Sequence, residues 1–369
     1  MRTILRFICN EFVLIAYLVV LFILLALKPG YIRQFPDFID WRTIASLSGL
    51  IVITTGFRIS GYFDAFARHS LRRISTERNL FVTLVGLTAF LSTFLTNDVA
   101  LFLVVPLTLS YSRILENDLG KLIIFEAIAA NAGSSISPIG NPQNIFIYRF
   151  RDIPFHEFIL KMFPVATVMM VLLLVLVVFV TPGEQLKIRS QVDDGKKDNR
   201  LFWISLVLFV GFIVAMELNV EVYSVYAVIF VFLLYNRNVL RESNWLLLFL
   251  FVVFFLVSSM LSREEWIRTF VESLRPDSDF RIFSISVVAS QIMSNVPAAI
   301  LVSHFTERWV PLAYGVNVGG NGLVIASLAN IIAIRLSGRR DLWLKFHIYS
   351  IPMLLISMFV VQFIIPIFK

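Results

Sequence analysis

The sequence predicts an all-α polytopic membrane protein. Of its 369 residues, 58% are hydrophobic and only 15% are charged, a balance far from that of soluble globular domains. Apolar runs of roughly 20 residues, the length that crosses a bilayer as a helix, recur along the whole chain. Only short polar breaks separate these runs, so the sequence leaves no room for a soluble domain.

Seven apolar runs are predicted to span the membrane. They cover residues 11–27, 43–61, 154–180, 201–216, 219–235, 243–261 and 344–367. Segment 62–78 is amphipathic and rich in arginine, a pattern typical of a helix that lies on the membrane surface. Segment 182–200 has no apolar face and is predicted to be a cytoplasmic linker.

Four further segments combine apolar arms with short polar clusters. At 79–113 and 279–308 two apolar arms flank a polar tip ("TND" and "SNVP"), which predicts a re-entrant helical hairpin in each. At 119–150 and 312–335 a Gly/Asn/Ser cluster interrupts the apolar run, which predicts a broken transmembrane helix. Unwound backbone is tolerated in a bilayer only where protein or a water-filled cavity covers it. These segments are therefore expected to surround a binding site.

The two broken segments align with each other. A shift of 186 residues matches the asparagines at both ends of the cluster, Asn131 with Asn317 and Asn144 with Asn330, and the hairpin tips align at a shift of 198. The letters alone leave two unrelated breaks open, but both halves run helix, helix, hairpin, broken helix, long helix. Because the extra helix at 201–216 makes the number of crossings between the halves odd, inverted-topology repeats are predicted over 1–181 and 201–369.

Loop charges predict the orientation of the chain. The Lys and Arg residues of the loops all fall on one side if each hairpin enters and leaves by the same face, which is the positive-inside pattern. The N-terminus is then cytoplasmic and the C-terminus outside. The net charge of +7 is attributed to this topology, and no nucleic-acid partner is expected. The single cysteine excludes intrachain disulfides.

The helix breaks favour ion chemistry. The half-helix that starts near Pro142 would point free N–H groups and the positive end of its dipole into the gap, where an anion is stabilised. Carbonyl groups freed by the break, together with Asn and Ser oxygens, are hard ligands suited to Na⁺. The pattern therefore predicts a site for a small anion and a coupling cation between the repeats.

Four motifs together resemble those of a known superfamily. They are "LTNDVALFLVVPL" (95–107), "SSISPIGNPQN" (134–144), "SNVPAA" (294–299) and "GVNVGGNGLVIASLAN" (315–330). Over nearly its whole length the chain resembles the ion transporter superfamily of citrate and divalent-anion symporters, arsenite permeases and Na⁺/H⁺ antiporters. The resemblance implies an elevator-type transporter fold, often a homodimer, in which the hairpins and broken helices form the moving transport domain.

The resemblance also implies which residues bind ligands. Substrate is expected at Thr96, Asn97, Asp98, Ser137, Pro138, Asn141, Ser294, Asn295, Val296, Asn321 and Ser327. A cation such as Na⁺ is expected at Asn97, Asp98, Gly140, Asn144, Asn295, Ala326 and Asn330. Members with a Ser-Asn-Thr motif at each tip carry a hydroxyl residue where this chain has Asp98 and Val296. The departure makes the first tip more similar to the Asn-Asp of arsenite-permease-like members.

Two carboxylates within apolar segments are candidates for proton coupling. Asp98 either carries a coupling proton, ligates Na⁺, or caps the second hairpin arm, since Asp is a favoured N-cap. Glu126 either carries a proton or pairs with a basic group such as Arg58. The residue types alone leave these alternatives open.

The sequence favours a secondary active transporter over an enzyme. A zinc protease would need H-E-x-x-H, but "HEFIL" at 156–160 lacks the second histidine, and neither G-x-S-x-G nor a P-loop is found. We expect no cofactor, with Na⁺ as a candidate coupling ion, and membrane lipids and a small anion as partners, in the inner (cytoplasmic) membrane. A Na⁺/H⁺ antiporter, an arsenite-type efflux permease, a receptor and a passive channel stay open as alternatives.

Overall fold

The protein is helical throughout the part of the chain that the structure describes. This structure, a computed structural model, describes residues 12–71, 73–189, 197–218, 220–274 and 276–365. Within these ranges there is no strand beyond the isolated bridges Thr76–Gln185 and Leu115–Ile188. The all-α prediction is confirmed. The outermost residues of some predicted spans, at 11, 219 and 366–367, lie outside the described ranges.

The α-helices follow one another with short connections. In chain order they are α1 (Phe12–Leu27), α2 (Phe35–Phe38), α3 (Trp41–Ile59), α4 (Tyr62–Ser70), α5 (Glu77–Phe94), α6 (Asn97–Ile114), α7 (Gly120–Ser134), α8 (Pro142–Phe150), α9 (Phe155–Val180), α10 (Asn199–Glu217), α11 (Glu221–Tyr235), α12 (Arg237–Glu242), α13 (Trp245–Ser262), α14 (Glu265–Ser273), α15 (Asp279–Met293), α16 (Asn295–Ser303), α17 (Trp309–Gly319), α18 (Leu328–Ser337) and α19 (Leu342–Ile364). Two 3₁₀ turns, Pro29–Gln34 and Val324–Ala326, complete the described helical structure.

The seven predicted spans correspond to α1, α3, α9, α10, α11, α13 and α19, with bounds that agree to within a few residues. Of the described helices, α9, α10 and α19 are by themselves long and apolar enough to cross a membrane. A fourth span results if Leu14–Leu27 and Pro29–Phe38, which meet at a bend of 115°, count as one. Shorter apolar helices include α11, α13 and α18. A polytopic membrane protein is therefore supported by helix length and composition.

The predicted surface helix is shorter than the sequence pattern indicated. The helix ends at Ser70, and a new helix, α5, begins at Glu77, so the prediction of one helix over 62–78 was wrong in its second part. The physical reason is a capping residue: the hydroxyl of Thr76 accepts a hydrogen bond from the backbone N–H of Asn79 at 3.3 Å, which starts α5.

The first part of the predicted linker is anchored by backbone hydrogen bonds. The carbonyl of Glu184 accepts from the N–H of Glu77, and the N–H of Arg189 donates to the carbonyl of Ile114, both at 2.9 Å. At the other end Asp198 caps α10. Residues 190–196 of the linker lie outside the described ranges.

The chain divides into two compact units, and each unit takes pieces from both halves of the sequence. The first unit comprises Met1–Phe63 and Gly195–Glu264, and the second comprises Asp64–Asp194 and Glu265–Lys369. The units therefore do not coincide with the predicted repeats, 1–181 and 201–369. The repeats concern similarity between the halves, which this division does not address.

The first unit is built around α3. This helix packs against α10, α11 and α12, while α1 packs against α13. Gly49 permits the contact with α10, because a Cβ atom at this position would lie 2.2 Å from the ring of Phe212. An ion pair of 3.0 Å joins Arg58 to Glu242, and another of 2.8 Å joins Lys28 to Glu264.

The second unit contains both predicted hairpins and both predicted broken helices. Helices α5 and α6 pack together and are joined by the two-residue tip 95–96, and α15 and α16 share the single connecting residue Ser294. Helix α7 ends at Ser134 and α8 begins only at Pro142, while α17 and α18 are separated by 320–327. The two breaks in the helices are confirmed. The position of the hairpins in a bilayer stays a prediction.

Candidate binding site at the two helix breaks

The two helix breaks lie against each other and are joined by asparagine side chains. The amide of Asn131, near the end of α7, donates to the side-chain oxygen of Asn330 at 2.9 Å and to the carbonyl of Gly320 at 3.1 Å. The amide of Asn317, near the end of α17, donates to the side-chain oxygen of Asn144 at 2.7 Å. Each break is thus held by an asparagine from the half-helix that precedes the other break.

Within each break, the asparagine that follows it binds the carbonyl groups that the break sets free. Helix ends leave backbone carbonyls without partners, and buried ones must be satisfied. The bonds run from Asn144 to Ser134 (3.3 Å) and Ser137 (3.0 Å), and from Asn330 to Gly320 (2.8 Å) and Leu323 (3.3 Å). Donors and acceptors of the second set lie 186 residues after those of the first, the shift at which the two motifs align.

A further pair of contacts follows the same spacing. Asn141 donates to the side-chain oxygen of Asn317 at 3.0 Å, and Ser327 donates to that of Asn131 at 2.9 Å. These matched contacts agree with the predicted internal repeat at the level of individual atoms. The inverted orientation of the two halves relative to a membrane stays a prediction.

The tip of each hairpin is docked on the break of its own half. The backbone N–H of Asn97 donates to the carbonyl of Gly140 at 2.9 Å, and the hydroxyl of Ser294 lies 3.4 Å from the carbonyl of Ala326. Gly140 and Ala326 occupy matching positions in the two aligned motifs. The predicted association of tips with breaks is therefore present in both halves.

The asparagines of both tips converge on Asn131. The amide of Asn97 lies 3.5 Å from the side-chain oxygen of Asn131. A Cβ atom at Gly320 would lie 3.4 Å from the amide nitrogen of Asn295 and 3.6 Å from Cγ of Asn131. Asn131 therefore occupies the point where the two tips and the second break meet, although the predicted ligand set did not include it.

Close helix packing fixes the hairpins against the broken helices. A Cβ atom at Gly133 of α7 would lie 2.2 Å from the carbonyl oxygen of Ala89 in α5. A Cβ atom at Gly319 of α17 would lie 2.8 Å from Cβ of Ser290 in α15. Only glycine allows this approach, so both glycines position the site rather than bind a ligand.

Comparison with known proteins decides the family. The sequence pattern of a family described as "Citrate transporter" (CitMHS) matches residues 7–307. The chain belongs to this citrate transporter family. This confirms the resemblance to the ion transporter superfamily, and it identifies the chain as a membrane transporter, a class of protein that is generally not enzymatic.

Similar transporters come from distant organisms. The chain is 42% identical over 323 residues to "Inner membrane protein YbiR" of Escherichia coli strain K12, which covers 88% of this chain and 87% of that protein. It is 37% identical over 302 residues to "Uncharacterized transporter MJ0456" of Methanocaldococcus jannaschii, covering 81% of this chain and 82% of that protein. The similarity extends over both hairpins and both breaks.

Several predicted ligands of this transporter use their side chains to hold the breaks. The amides of Asn144 and Asn330 are bonded to protein oxygens on both their nitrogen and oxygen atoms. Asn141 caps α8 by accepting from the N–H of Asn144 at 2.9 Å, and its amide donates to Ser134 and Asn317. In the described conformation these side chains stabilise the unwound backbone.

Other side chains in the site have buried oxygen atoms without a hydrogen-bond partner in the described part of the chain. They are Oγ1 of Thr96, Oδ1 of Asp98, Oε1 of Gln143 and Oδ1 of Asn321. Such an atom costs about 1–3 kcal/mol if nothing binds it, and a group of them in one region calls for an explanation such as a ligand. Gln143 was missed by the sequence reasoning, although its place directly after Pro142 at the start of a half-helix was a usable signal.

Asp98 does not cap the second hairpin arm. The N-cap position of α6 is Thr96, and Asp98 lies within the first turn with its Oδ1 atom unpaired. The alternative of capping is therefore wrong, and the ion-binding alternatives stay predictions. The opposite tip differs, because Ser294 has a φ of 73° and a ψ of 160°, a backbone conformation that is strained for any residue but glycine.

Glu126 does not pair with Arg58. Its side chain is completely buried, and Oε1 accepts a short hydrogen bond from the hydroxyl of Thr108. Arg58 is instead paired with Glu242. The remaining predicted positions, Ser137, Pro138 and Val296, line the break or the tip through their backbone and apolar atoms.

The described residues contain no group of three or more His, Cys, Asp or Glu side chains that could hold a metal ion. A cation at the tips would have to be bound by neutral oxygens with Asp98 as the charged ligand. Ligands of this kind suit a weakly held alkali ion better than a transition metal.

Proposed function

We propose that the protein is a secondary active transporter that moves a small anion, an oxyanion or a carboxylate, across the membrane and couples this movement to Na⁺ or H⁺. The observation that carries the proposal is the reciprocal bonding of the two helix breaks through Asn131–Asn330 and Asn317–Asn144, with both hairpin tips docked beside them. Unwound backbone from both halves is thereby gathered into one polar region inside an apolar protein.

An anion is favoured by the polarity of the half-helices. Helices α8 and α18 both begin at the breaks, so the positive ends of their dipoles and their first N–H groups are directed to the same region. The unpaired oxygen of Gln143 belongs to an amide whose NH₂ group lies 3.4 Å from Asn317, so the amide can turn to present either end. Amide and hydroxyl groups of this kind suit a small oxyanion or carboxylate.

A cation is favoured by the oxygen atoms at the first tip. The unpaired oxygens of Thr96 and Asp98 lie next to Asn97, whose N–H is bonded to the carbonyl of Gly140. A bound Na⁺ or proton would satisfy Asp98 and reduce the negative charge that repels an anion. This gives a physical reason for the two ions to be carried together.

An elevator mechanism requires all substrate-binding elements to belong to one body. Both hairpins and both broken helices fall in the second unit, which supports a role for this unit as the moving transport domain. The first unit would then form the fixed frame and the contact of a homodimer. We propose an inner-membrane location with a cytoplasmic N-terminus and an outer C-terminus, in line with the name of the Escherichia coli relative and with the loop charges.

The test is transport by the purified full-length protein in proteoliposomes. A thermal-shift screen of citrate, succinate, sulfate, phosphate and arsenite, each with and without Na⁺, identifies the anion to be labelled. Saturable uptake that depends on a Na⁺ or H⁺ gradient is expected. Current that passes without saturation and without such coupling would indicate a channel and overturn the proposal.

A Na⁺/H⁺ antiporter is the second candidate, because Asp98 offers a buried carboxylate at the tip without a neighbouring basic side chain among its described hydrogen-bond partners. An arsenite-type efflux permease is the related alternative, favoured by the Asn97-Asp98 sequence at the first tip. Exchange of Na⁺ for H⁺ in the absence of any anion, followed by a pH-sensitive dye, would favour the antiporter. Efflux of arsenite alone would favour the permease.

A further inference from the structure

Glu126 is a carboxylate that the proposed anion site does not use. Both Glu126 on α7 and Thr108 on α6 have no exposed surface. The Thr108 hydroxyl donates to Oε1 of Glu126, and Oε2 has no hydrogen-bond partner in the described part of the chain. The acid group is thus held in place on one side and open on the other.

This environment distinguishes the two protonation states of Glu126. An ionised carboxylate away from water needs several donors or a counter-ion to offset its lost hydration, and one hydroxyl group supplies little of that. A neutral acid needs only an acceptor for its own O–H group. The described arrangement therefore fits a bound proton, and release of that proton requires the surroundings of Oε2 to change.

The position of Glu126 connects it to the anion site through rigid helices. It lies five residues before Asn131 on the same helix, which is about 7.5 Å along the helix axis. Its partner Thr108 lies on α6, the helix that begins with Asn97 and Asp98 at the first tip. A change at the Glu126–Thr108 contact would therefore act on the two helices that end at the site.

Hydroxyl groups continue from Thr108 towards the end of α6. Ser110 donates to the carbonyl of Pro106 at 3.2 Å, and Ser112 donates to the carbonyl of Thr108 at 3.1 Å. The next residue, Arg113, pairs with Asp64 at 3.2 Å. The last turns of α6 thus carry exchangeable protons between the buried acid and a charged region of the surface.

Other ionisable groups on the helices packed against α7 have different partners. Helix α18 runs away from the Asn131–Asn330 bond beside α7, which brings Arg335 level with Glu126, and Arg335 has an interaction of its own that does not involve Glu126. On α9 the last ionisable residue is Lys161, near the start of that helix. The remaining groups are Glu77 on α5, bonded to Asn117, Tyr111 on α6, bonded to Ser70, Tyr314 on α17, bonded to the carbonyl of Lys161, and Tyr349 on α19, against the ring of Phe125.

We infer that Glu126, held by Thr108, is the proton-binding site that couples transport to a proton gradient, separate from the tip residue Asp98. The inference rests on the proposed function, which leaves the choice between Na⁺ and H⁺ open. Asp98 then serves the anion and cation at the tip, while the proton binds on the wall of the first broken helix. The two carboxylates have different roles because one faces the tip and the other lies between α6 and α7.

The first test measures the proton directly and needs no transported anion. Infrared difference spectra of the full-length protein between acidic and alkaline buffers report the carbonyl stretch of protonated carboxylic acids. A pH-dependent band is expected that is lost in Glu126→Gln, shifted in Thr108→Val and retained in Asp98→Asn and in the control Glu77→Gln. The Gln variant keeps an oxygen for Thr108, and its thermal unfolding is measured to show that it folds. An unchanged band in Glu126→Gln, or a Glu126 band that does not respond to pH, would overturn the inference.

The second test measures coupling with labelled citrate in proteoliposomes. Glu126→Gln should lose accumulation driven by a pH gradient but retain exchange of citrate inside for citrate outside, since exchange needs no net proton release. Wild-type accumulation that follows a Na⁺ gradient and ignores the pH gradient would overturn the inference and leave the proposed function intact. Absence of transport for every anion of the screen would instead overturn the proposed function, and the infrared result alone would then decide the role of Glu126.

Discussion

Asn131 and Asn330 lie 199 positions apart in the sequence, yet a hydrogen bond of 2.9 Å joins their side chains. Asn317 and Asn144, which align with them at a shift of 186 residues, form a corresponding bond of 2.7 Å. Each bond runs from the end of one half-helix to the start of a half-helix in the other half of the chain. The two unwound segments therefore stabilise each other, and neither is expected to keep its conformation alone.

Replacing the donor of either bond should loosen both breaks. Asn131→Ala leaves the oxygen of Asn330 and the carbonyl of Gly320 with fewer donors, and Asn317→Ala does the same to Asn144. At about 1–3 kcal/mol for a buried group left unpaired, each variant should unfold several degrees below the wild type and lose uptake. Thermal unfolding and citrate uptake are the measurements. The control Asn238→Ala, on the exposed surface of α12, should change neither, and wild-type stability in both test variants would contradict the clamp.

Gly133 should tolerate no side chain. An added Cβ atom would lie 2.2 Å from the backbone carbonyl of Ala89, which a side-chain rotation cannot relieve. Gly133→Ala should therefore lower the unfolding temperature and uptake together, although alanine is intrinsically better in a helix by roughly 1 kcal/mol.

The matched control for this variant lies on the facing helix. Gly86→Ala in α5 places its Cβ atom where no heavy atom lies within 4 Å. It should be neutral or raise the unfolding temperature slightly through helix propensity. Equal effects of the two substitutions would mean that the close approach of α7 to α5 is not what requires glycine at 133.

Sequence reasoning located the site because the backbone imposes strict rules inside a membrane. Polar and helix-breaking residues within apolar runs had to mark breaks and tips, and the structure places them at 135–141, 320–327 and the two connections between hairpin arms. The same rules do not say which partner each polar group finds. Asn144 and Asn330 were expected to bind a cation, but their amides hold carbonyl groups of the breaks.

Long-range packing was the part that no local pattern contained. The partner of Glu126 is Thr108, and this contact exists only because α6 packs against α7. The division into two compact units likewise joins segments from both halves, whereas the sequence was divided at its one polar linker. Local capping decided the remaining difference, since Thr76 starts a new helix where an amphipathic pattern indicated a continuous one.

Arg339 should contribute to stability in a way that depends on pH. It is bonded to Asp118, and this contact lowers the pKa of the Asp118 carboxyl below its usual value. A lowered pKa means that the stabilisation is present above the unfolded-state pKa, about 3.9, and is lost as the pH falls through the folded-state value. Because both side chains are partly exposed, we expect less than about 1 kcal/mol from the pair.

The variant that checks this is Arg339→Gln. Its unfolding temperature should lie slightly below that of the wild type at neutral pH, and the difference should vanish in strongly acidic buffer. Arg237→Gln serves as the control, because Arg237 donates to the backbone carbonyl of Leu233 and its loss should give no such pH dependence. A difference that persists unchanged in acid would point to packing by the arginine side chain instead of charge.

Ser294 should separate stability from transport. Its φ of 73° and ψ of 160° cost roughly 1–3 kcal/mol in a residue with a Cβ atom, while its hydroxyl contacts Asn295 and the carbonyl of Ala326. Ser294→Gly should therefore unfold at a higher temperature than the wild type but take up citrate more slowly, because relief of strain is gained and the tip loses its contact with the break. Asp152→Gly is the matched control: Asp152 also has a positive φ, 48°, but lies between α8 and α9, so it should gain stability without losing uptake. A stabilised Ser294→Gly variant with full uptake would mean that the hydroxyl has no part in transport, and a destabilised one would mean that its contacts outweigh the strain.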